Sequence, residues 1–327
     1  MKRQEPMGMA CLLLTALIWG FAFVSQVQGM DSMTPLFFNA TRFTLGAISL
    51  VPLLIWRNGR RGKKAAETGE ESLTVATSPD EPRPQRYVRL LANPAIIGMI
   101  CGLFLFTAST LQQYGILYGR SAGRAGFITA LYIVMVPLLA FVFLHRRVHL
   151  MTIAAVVIAV VGFYFLCITD GFGSLTLADL LLLFTAVLFA AHILVIDTLG
   201  ARIDALTLSF GQFVTTAALS WIGSLIEGSI DWAGAAQAWE AVVYAGIGSV
   251  GIAYTLQVVG QQWVPPTRAS LIMSLESFFS VIGGALLLGE VMTPRGYLGC
   301  ALIFAGTLLA QLPANPLSAL RRPEARR

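Results

Sequence analysis

Glu276 stands third in the stretch SLESFFSVIGGALLLGEVM, an otherwise apolar run from Ser274 to Met292. A carboxyl group held away from water can accept and release a proton near neutral pH, or contact a cation. Counted from Pro266, ten residues at about 1.5 Å each carry it about 15 Å into a hydrocarbon core of roughly 30 Å. Its bland role is a neutral acid that fixes helix packing. Arg42, in FFNATRF, can hold an anionic group, pair with an acid, or reach to the headgroups. Trp19 sits mid-run, where interfacial anchoring does not explain it. Gln113, Tyr132 and Gln257 carry polar groups that need partners in protein, water or ligand. For the two glutamines the bland role is interhelical hydrogen bonding. His192, near Asp197, is either a packed group or a proton relay. His145 and His149, in HRRVH, have i,i+4 spacing that suits a metal, but they bracket a basic corner and are expected to bind none. The candidate substrate-binding set is therefore Trp19, Gln113, Tyr132, Gln257 and Glu276. Glu276 is the candidate for proton coupling and Arg42 the candidate contact for an anionic group. No catalytic set, metal site or cofactor site is expected; no Walker motif and no strand-linked GxGxxG occurs.

The elements that must position these residues are membrane spans. The chain of 327 residues is 56% hydrophobic and 12% charged, against about 25% charge in soluble domains. Its mean hydropathy is +0.74. The net charge of +5 comes from basic residues between and after the apolar runs, so nucleic acid is not an expected partner. Cys11, Cys101, Cys167 and Cys300 fall inside apolar runs with no paired spacing and read as small buried hydrophobes. Ten segments are long and apolar enough to span: 8–26, 35–56, 94–117, 122–144, 149–168, 177–197, 205–226, 239–262, 267–289 and 295–312. The first has the charged start of a signal peptide but no clear small-x-small cleavage site, and is expected to be retained. Most links are short; residues 57–92 are polar, charged and proline-bearing, and read as a flexible loop. With the N-terminus in the cytoplasm, 18 Lys and Arg fall inside and three outside, Arg120, Arg124 and Arg295. Both termini are therefore expected in the cytoplasm.

The chain also repeats itself. At a shift of 170, Leu12, Thr15, Ala16 and Phe43 meet Leu182, Thr185, Ala186 and Phe213. At a shift of 144, Gly102, Gln113, Arg124, Ile128 and Gly162 meet Gly246, Gln257, Arg268, Ile272 and Gly306. The difference between the shifts, 26, is the excess length of 57–92 over its counterpart 227–236. Each half holds five spans, an odd number, so the second half must enter the membrane from the opposite side. That is an inverted repeat, with the substrate site expected near the midplane where the halves meet. Tyr132 and Glu276 are repeat partners in this register.

TALIWGFAFVSQ (15–26), FFNATRF (37–43) and LQQYGILYGRSAGRAGFITALYIVMVPLL (111–139) resemble the first half of the EamA-like drug/metabolite transporters. AAHILVI (190–196), PTRASLIMSLESFFSVIGGALLLGE (266–290) and GCALIFAGTLLA (299–310) resemble the second. The resemblance covers Met7 to Pro313. It implies a ten-helix carrier that moves a small metabolite, often outward, driven by a proton or substrate gradient. Two departures stand out: Ser277 where the family usually has proline, and LHRRV (144–148) where the second half has Gly289–Glu290.

Together these readings lead to an all-α integral membrane protein of ten transmembrane helices in two inverted-topology five-helix repeats, 7–168 and 176–313, with a basic tail, 314–327. The expected function is secondary-active transport of a small polar metabolite, an amino acid or related compound, outward by alternating access. The expected setting is a bacterial plasma (inner) membrane. The expected partners are a small-molecule substrate, the lipid bilayer and a coupling proton; substrate identity, direction and oligomeric state stay open. An importer or lipid-linked sugar flippase of the same fold, a channel and a membrane enzyme are the alternatives.

Overall fold

The computed structural model describes residues 4–68, 93–145, 150–167, 175–201 and 203–309. His149, most of the long link, the link 168–174 and the basic tail lie outside the described residues. Among the described residues all regular elements are helical. They are α1 Glu5–Gly29, α2 Pro35–Thr68, α3 Pro94–Gly119, α4 Ala122–Leu144, α5 Leu150–Cys167, α6 Leu177–Gly200, α7 Ala205–Glu227, α8 Trp239–Trp263, α9 Pro266–Met273 continued by Leu275–Leu287, and α10 Pro294–Leu309. Helices suit this composition because each satisfies its own backbone where no water can. Their starts are written locally. Pro94 and Pro266 occupy first turns, where a missing N–H costs nothing, and Thr176 and Asp179 form a reciprocal capping box on α6.

Among the described residues eight helices are long and apolar enough to cross a membrane. The shorter α5 and α10 pack on each other and complete the two repeats of five. Inversion of the repeats maps α1 onto α6, α2 onto α7, α3 onto α8, α4 onto α9 and α5 onto α10. The packing obeys that map. α1 lies on α8 and α9, as α6 lies on α3 and α4; α2 lies on α8, as α7 lies on α3. The pairs α2–α7, α4–α9 and α5–α10 meet their own counterparts. The main contacts therefore run between the halves. Glycines permit the closest of them: a Cβ on Gly126 of α4 would stand 2.0 Å from Ser280 Oγ of α9.

Four features depart from the expected spans. α2 runs on to Thr68 instead of ending near 56; the Arg, Lys, Ala and Glu of RNGRRGKKAAET favour helix, against Gly59 and Gly62. A short helix, Trp232–Gln237, occupies the expected 227–236 link, capped by Asp231. α8 carries a π-helical run, Tyr244–Tyr254. Finally, α4 and α9 are interrupted, at Ala130–Leu131 and at Ser274, positions that are repeat partners. No glycine or proline marks either break, so the apolar pattern reads straight through. Tightened three-residue bonds make the interruption: Ile133 N–H to Ala130 O, 3.1 Å, and Ser277 N–H to Ser274 O, 3.0 Å. In α9 the hydroxyls of Ser274, Ser277 and Ser280 each donate to the carbonyl three residues back, at 2.7, 2.7 and 2.8 Å. Such back-bonding competes with the helical ladder and bends it.

Candidate functional site

The two interruptions place their repeat partners at one spot. Tyr132 opens the second part of α4, and Glu276 lies in the first turn of the second part of α9. Both side chains are buried, and the Tyr132 hydroxyl lies beside the Glu276 carboxyl. Neither Tyr132 Oη nor Glu276 Oε1 completes a hydrogen bond of good geometry. Buried polar atoms left open in this way are where a water, proton or ligand group fits.

Both line a cavity of about 450 Å³, counted out to its open side. It is walled by α1, α2, α3, α4, α6, α8 and α9, and so by both repeats. Of the residues singled out from sequence, Trp19, Arg42, Tyr132, Gln257 and Glu276 line it. Gln113 does not; it is buried, and its Nε2 donates to Gln26 O at 3.0 Å, tying α3 to α1. Its neighbour Gln112, turned about 100° on the helix, lines the cavity and donates to Thr129 Oγ1 at 3.4 Å.

Arg42 does not reach toward headgroups. It is 2% exposed, with its guanidinium carbon 5.4 Å from the Phe38 ring centre and 5.1 Å from that of Phe43. Among the described residues no carboxylate lies within ion-pair distance of it, and its Nε has no hydrogen-bond partner. The cavity thus holds a cation and an acid that are not paired with each other.

Aromatic side chains form the walls. The rings of Trp19 and Tyr254 meet edge-on with centroids 4.6 Å apart, and Tyr254 also touches Phe43, Phe213 and His192. Trp19 Nε1 donates to Ser249 O at 3.3 Å, and Thr15 Oγ1 to Ala253 O at 3.1 Å. Both carbonyls belong to the π-helical run of α8, whose wide turn makes them available to α1. His192 is fully buried behind Tyr254, with Nε2 2.9 Å from Gln212 Oε1, and is not part of the lining. His145 lies at the end of α4 in a left-handed conformation. Among the described residues no three His, Cys, Asp or Glu side chains cluster to hold a metal.

Sequence reasoning missed Gln26, Gln112, Thr129, Ser249 and Tyr254. Gln26 and Gln112 carried the same signal as Gln113, an amide inside an apolar run. Tyr254 and Ser249 carried none, because an interior tyrosine or serine in such a run is ordinary.

The model of the EamA-like transporter family matches residues 6–168 and 176–312. An uncharacterized transporter of Archaeoglobus fulgidus is 26% identical over 305 residues, spanning 92% of this chain and 84% of that protein. A solved crystal structure superposes with a TM-score of 0.62 at 21% identity, covering 96% of this chain and 99% of that one, and so shares the fold.

Proposed function

The chain belongs to the EamA-like transporter family, and from that premise we propose that it is a secondary-active carrier, not an enzyme. It moves a small polar metabolite, an amino acid or related compound, outward across a bacterial inner membrane, with both termini in the cytoplasm. The observation that carries this reading is the cavity lined by both repeats at the breaks of α4 and α9, with Arg42 and Glu276 on its wall. Interrupted helices at a repeat interface are where inverted-repeat carriers hold substrate.

The chemistry of the lining supports the substrate class. A zwitterion would place its carboxylate against Arg42 and its ammonium toward Glu276. Each charge would then meet an opposite charge, and the buried guanidinium would gain the carboxylate it lacks among the described residues. Trp19, Tyr254 and Phe189 offer apolar surface to the remainder, and Gln26, Gln112 and Gln257 supply adaptable amide contacts. Glu276 is the proton carrier: it lines the cavity and one of its carboxyl oxygens has no hydrogen-bond partner, so it can exchange a proton with whichever side the cavity faces. Rocking of the repeats against each other then exposes the site alternately.

Counterflow tests this. Proteoliposomes preloaded with mixed unlabelled amino acids should transiently concentrate a matching external radiolabelled amino acid, with saturation. A flux that grows linearly with concentration and shows no counterflow would identify a channel instead. Accumulation of none of the amino acids would reject this substrate class.

A further inference from the structure

The inverted repeat places two ion pairs at opposite ends of the bundle, each joining the same two helix starts of the repeat plan. Arg124, in the first turn of α4, binds Asp179, in the first turn of α6, through two parallel bonds of 2.7 Å. One repeat later in register, Arg268 in the first turn of α9 binds Glu5, in the first turn of α1. Inversion maps α4 onto α9 and α6 onto α1, so the same pair of helix starts is joined twice; the arginines are register partners, while Glu5 stands one turn before Met9, the counterpart of Asp179. In each, the start of an interrupted helix is held to the first helix of the other repeat. We propose that these pairs are the two gates of the transport path, Arg124–Asp179 on the outer side and Arg268–Glu5 on the inner. This rests on the alternating-access reading and on the orientation given by the positive-inside count.

Position supports the assignment. α4 and α9 are the elements whose breaks carry Tyr132 and Glu276, so an end of α4 or α9 that swings away opens a route to that site. The outer pair also lines a second cavity, of about 420 Å³ counted out to solvent, together with Gly115, Tyr118, Ser121 and Thr176. That cavity lies between α3, α4 and α6, at the end where a vestibule is needed.

The two gates are not equally strong. Asp179 is 1% exposed and Arg124 30%, and Asp179 is held in turn by Thr176 N–H at 3.0 Å and Thr176 Oγ1 at 2.7 Å. The start of α4 is latched a second time by Glu290 of the α9–α10 turn. Its carboxylate accepts from Ser121 Oγ at 2.9 Å, Ala122 N–H at 2.6 Å and Gly123 N–H at 3.1 Å. The inner pair is the weaker: Arg268 is 56% exposed and Glu5 35%, joined by one nitrogen and one oxygen. Exposed pairs contribute little, whereas bidentate pairs with a buried partner hold. The resting protein is therefore closed outside and yields more readily inside. The second half's Gly289–Glu290, which has no equivalent in LHRRV, supplies this asymmetry.

The test needs no substrate. With the native cysteines replaced, Ser249→Cys puts a thiol on the cavity wall with little change in shape, and a membrane-impermeant maleimide is applied to intact cells or to inside-out vesicles. Arg124→Gln leaves the Thr176–Asp179 cap in place and should speed labelling from the outside by about tenfold, without speeding it from the inside. Glu5→Gln should speed labelling from the inside by about two- to threefold only. The exchange Glu5→Arg with Arg268→Glu should restore the inner rate that either reversal alone disturbs. Should Arg124→Gln fail to reach the membrane, Asp179→Asn supplies the same reading. Rates unchanged by every pair variant, or raised equally on both sides, overturn the gates. A thiol that reacts from each side in the parent but ignores the pairs contradicts the gates alone. One that reacts from neither side in any variant contradicts alternating access itself.

Discussion

Arg42→Met separates what the guanidinium does for the fold from what it does for the substrate. An arginine at mid-membrane costs about 2.5–3.5 kcal/mol on insertion scales. Contacts with the faces of Phe38 and Phe43, at 5.4 and 5.1 Å, return about 0.5–2 kcal/mol each. The two terms nearly cancel, and no acid among the described residues adds to the second. Methionine is flexible and apolar and reaches about as far as Nε, replacing the stem but not the guanidinium, so thermal unfolding in detergent should shift by no more than about 1–2 kcal/mol in either direction. Binding should respond differently. Loss of one partner from a buried charge pair costs about 2–5 kcal/mol, or from about 30-fold to a few thousand-fold in affinity. The half-saturation concentration in counterflow should rise by at least that lower factor. Arg42→Lys keeps the charge but not the fork and should fall between. A half-saturation unchanged in Arg42→Met would refute the anion-holding role. A large loss of stability would show that the guanidinium is held by contacts within the fold.

Gly20→Leu should abolish correct packing of α1 on α9, because even a Cβ there would stand 2.2 Å from Phe279 Cβ and 2.9 Å from Glu276 O; loss of the monodisperse peak in size-exclusion chromatography checks this, and a wild-type profile would contradict it. Single cysteines at Ser72 and Ser229, in a background lacking the native cysteines, should react with impermeant reagent from opposite sides, inside and outside respectively. Reaction of both from the outside would contradict the proposed orientation.

The membrane spans were legible because the bilayer demands about 20 apolar residues and tolerates few charges between. The repeat was legible because Gln113 and Gln257, and Arg124 and Arg268, are polar pairs in apolar context, where coincidence is rare. Intramembrane charge made Glu276 and Arg42 conspicuous for the same reason. The breaks in α4 and α9 were not legible. They are made by tightened turns, joined in α9 by serine back-bonding, within an unbroken apolar pattern with no glycine or proline to announce them. Nor was the π-helical run of α8, whose carbonyls Thr15 and Trp19 of α1 reach from another part of the chain. Choosing Gln113 over Gln112 required knowing the rotation of α3, which spacing in a run apolar on all sides does not reveal. Ser277 sits where proline was expected from the resemblance, and its own hydroxyl takes part in the bend instead.

The central claim is that Glu276 carries the coupling proton in a cavity shared by two rocking repeats. It is tested by pH-driven transport measured beside gradient-free exchange, in vesicles, for the wild type and Glu276→Gln. Glutamine keeps the shape and the polar contact beside Tyr132 but cannot release a proton, so exchange should persist while transport driven by the pH gradient is lost. Glu276→Ala, which removes the polar contact as well, should impair both. Undiminished pH-driven transport in Glu276→Gln would contradict the account and leave the carboxyl as a packing group at the break in α9.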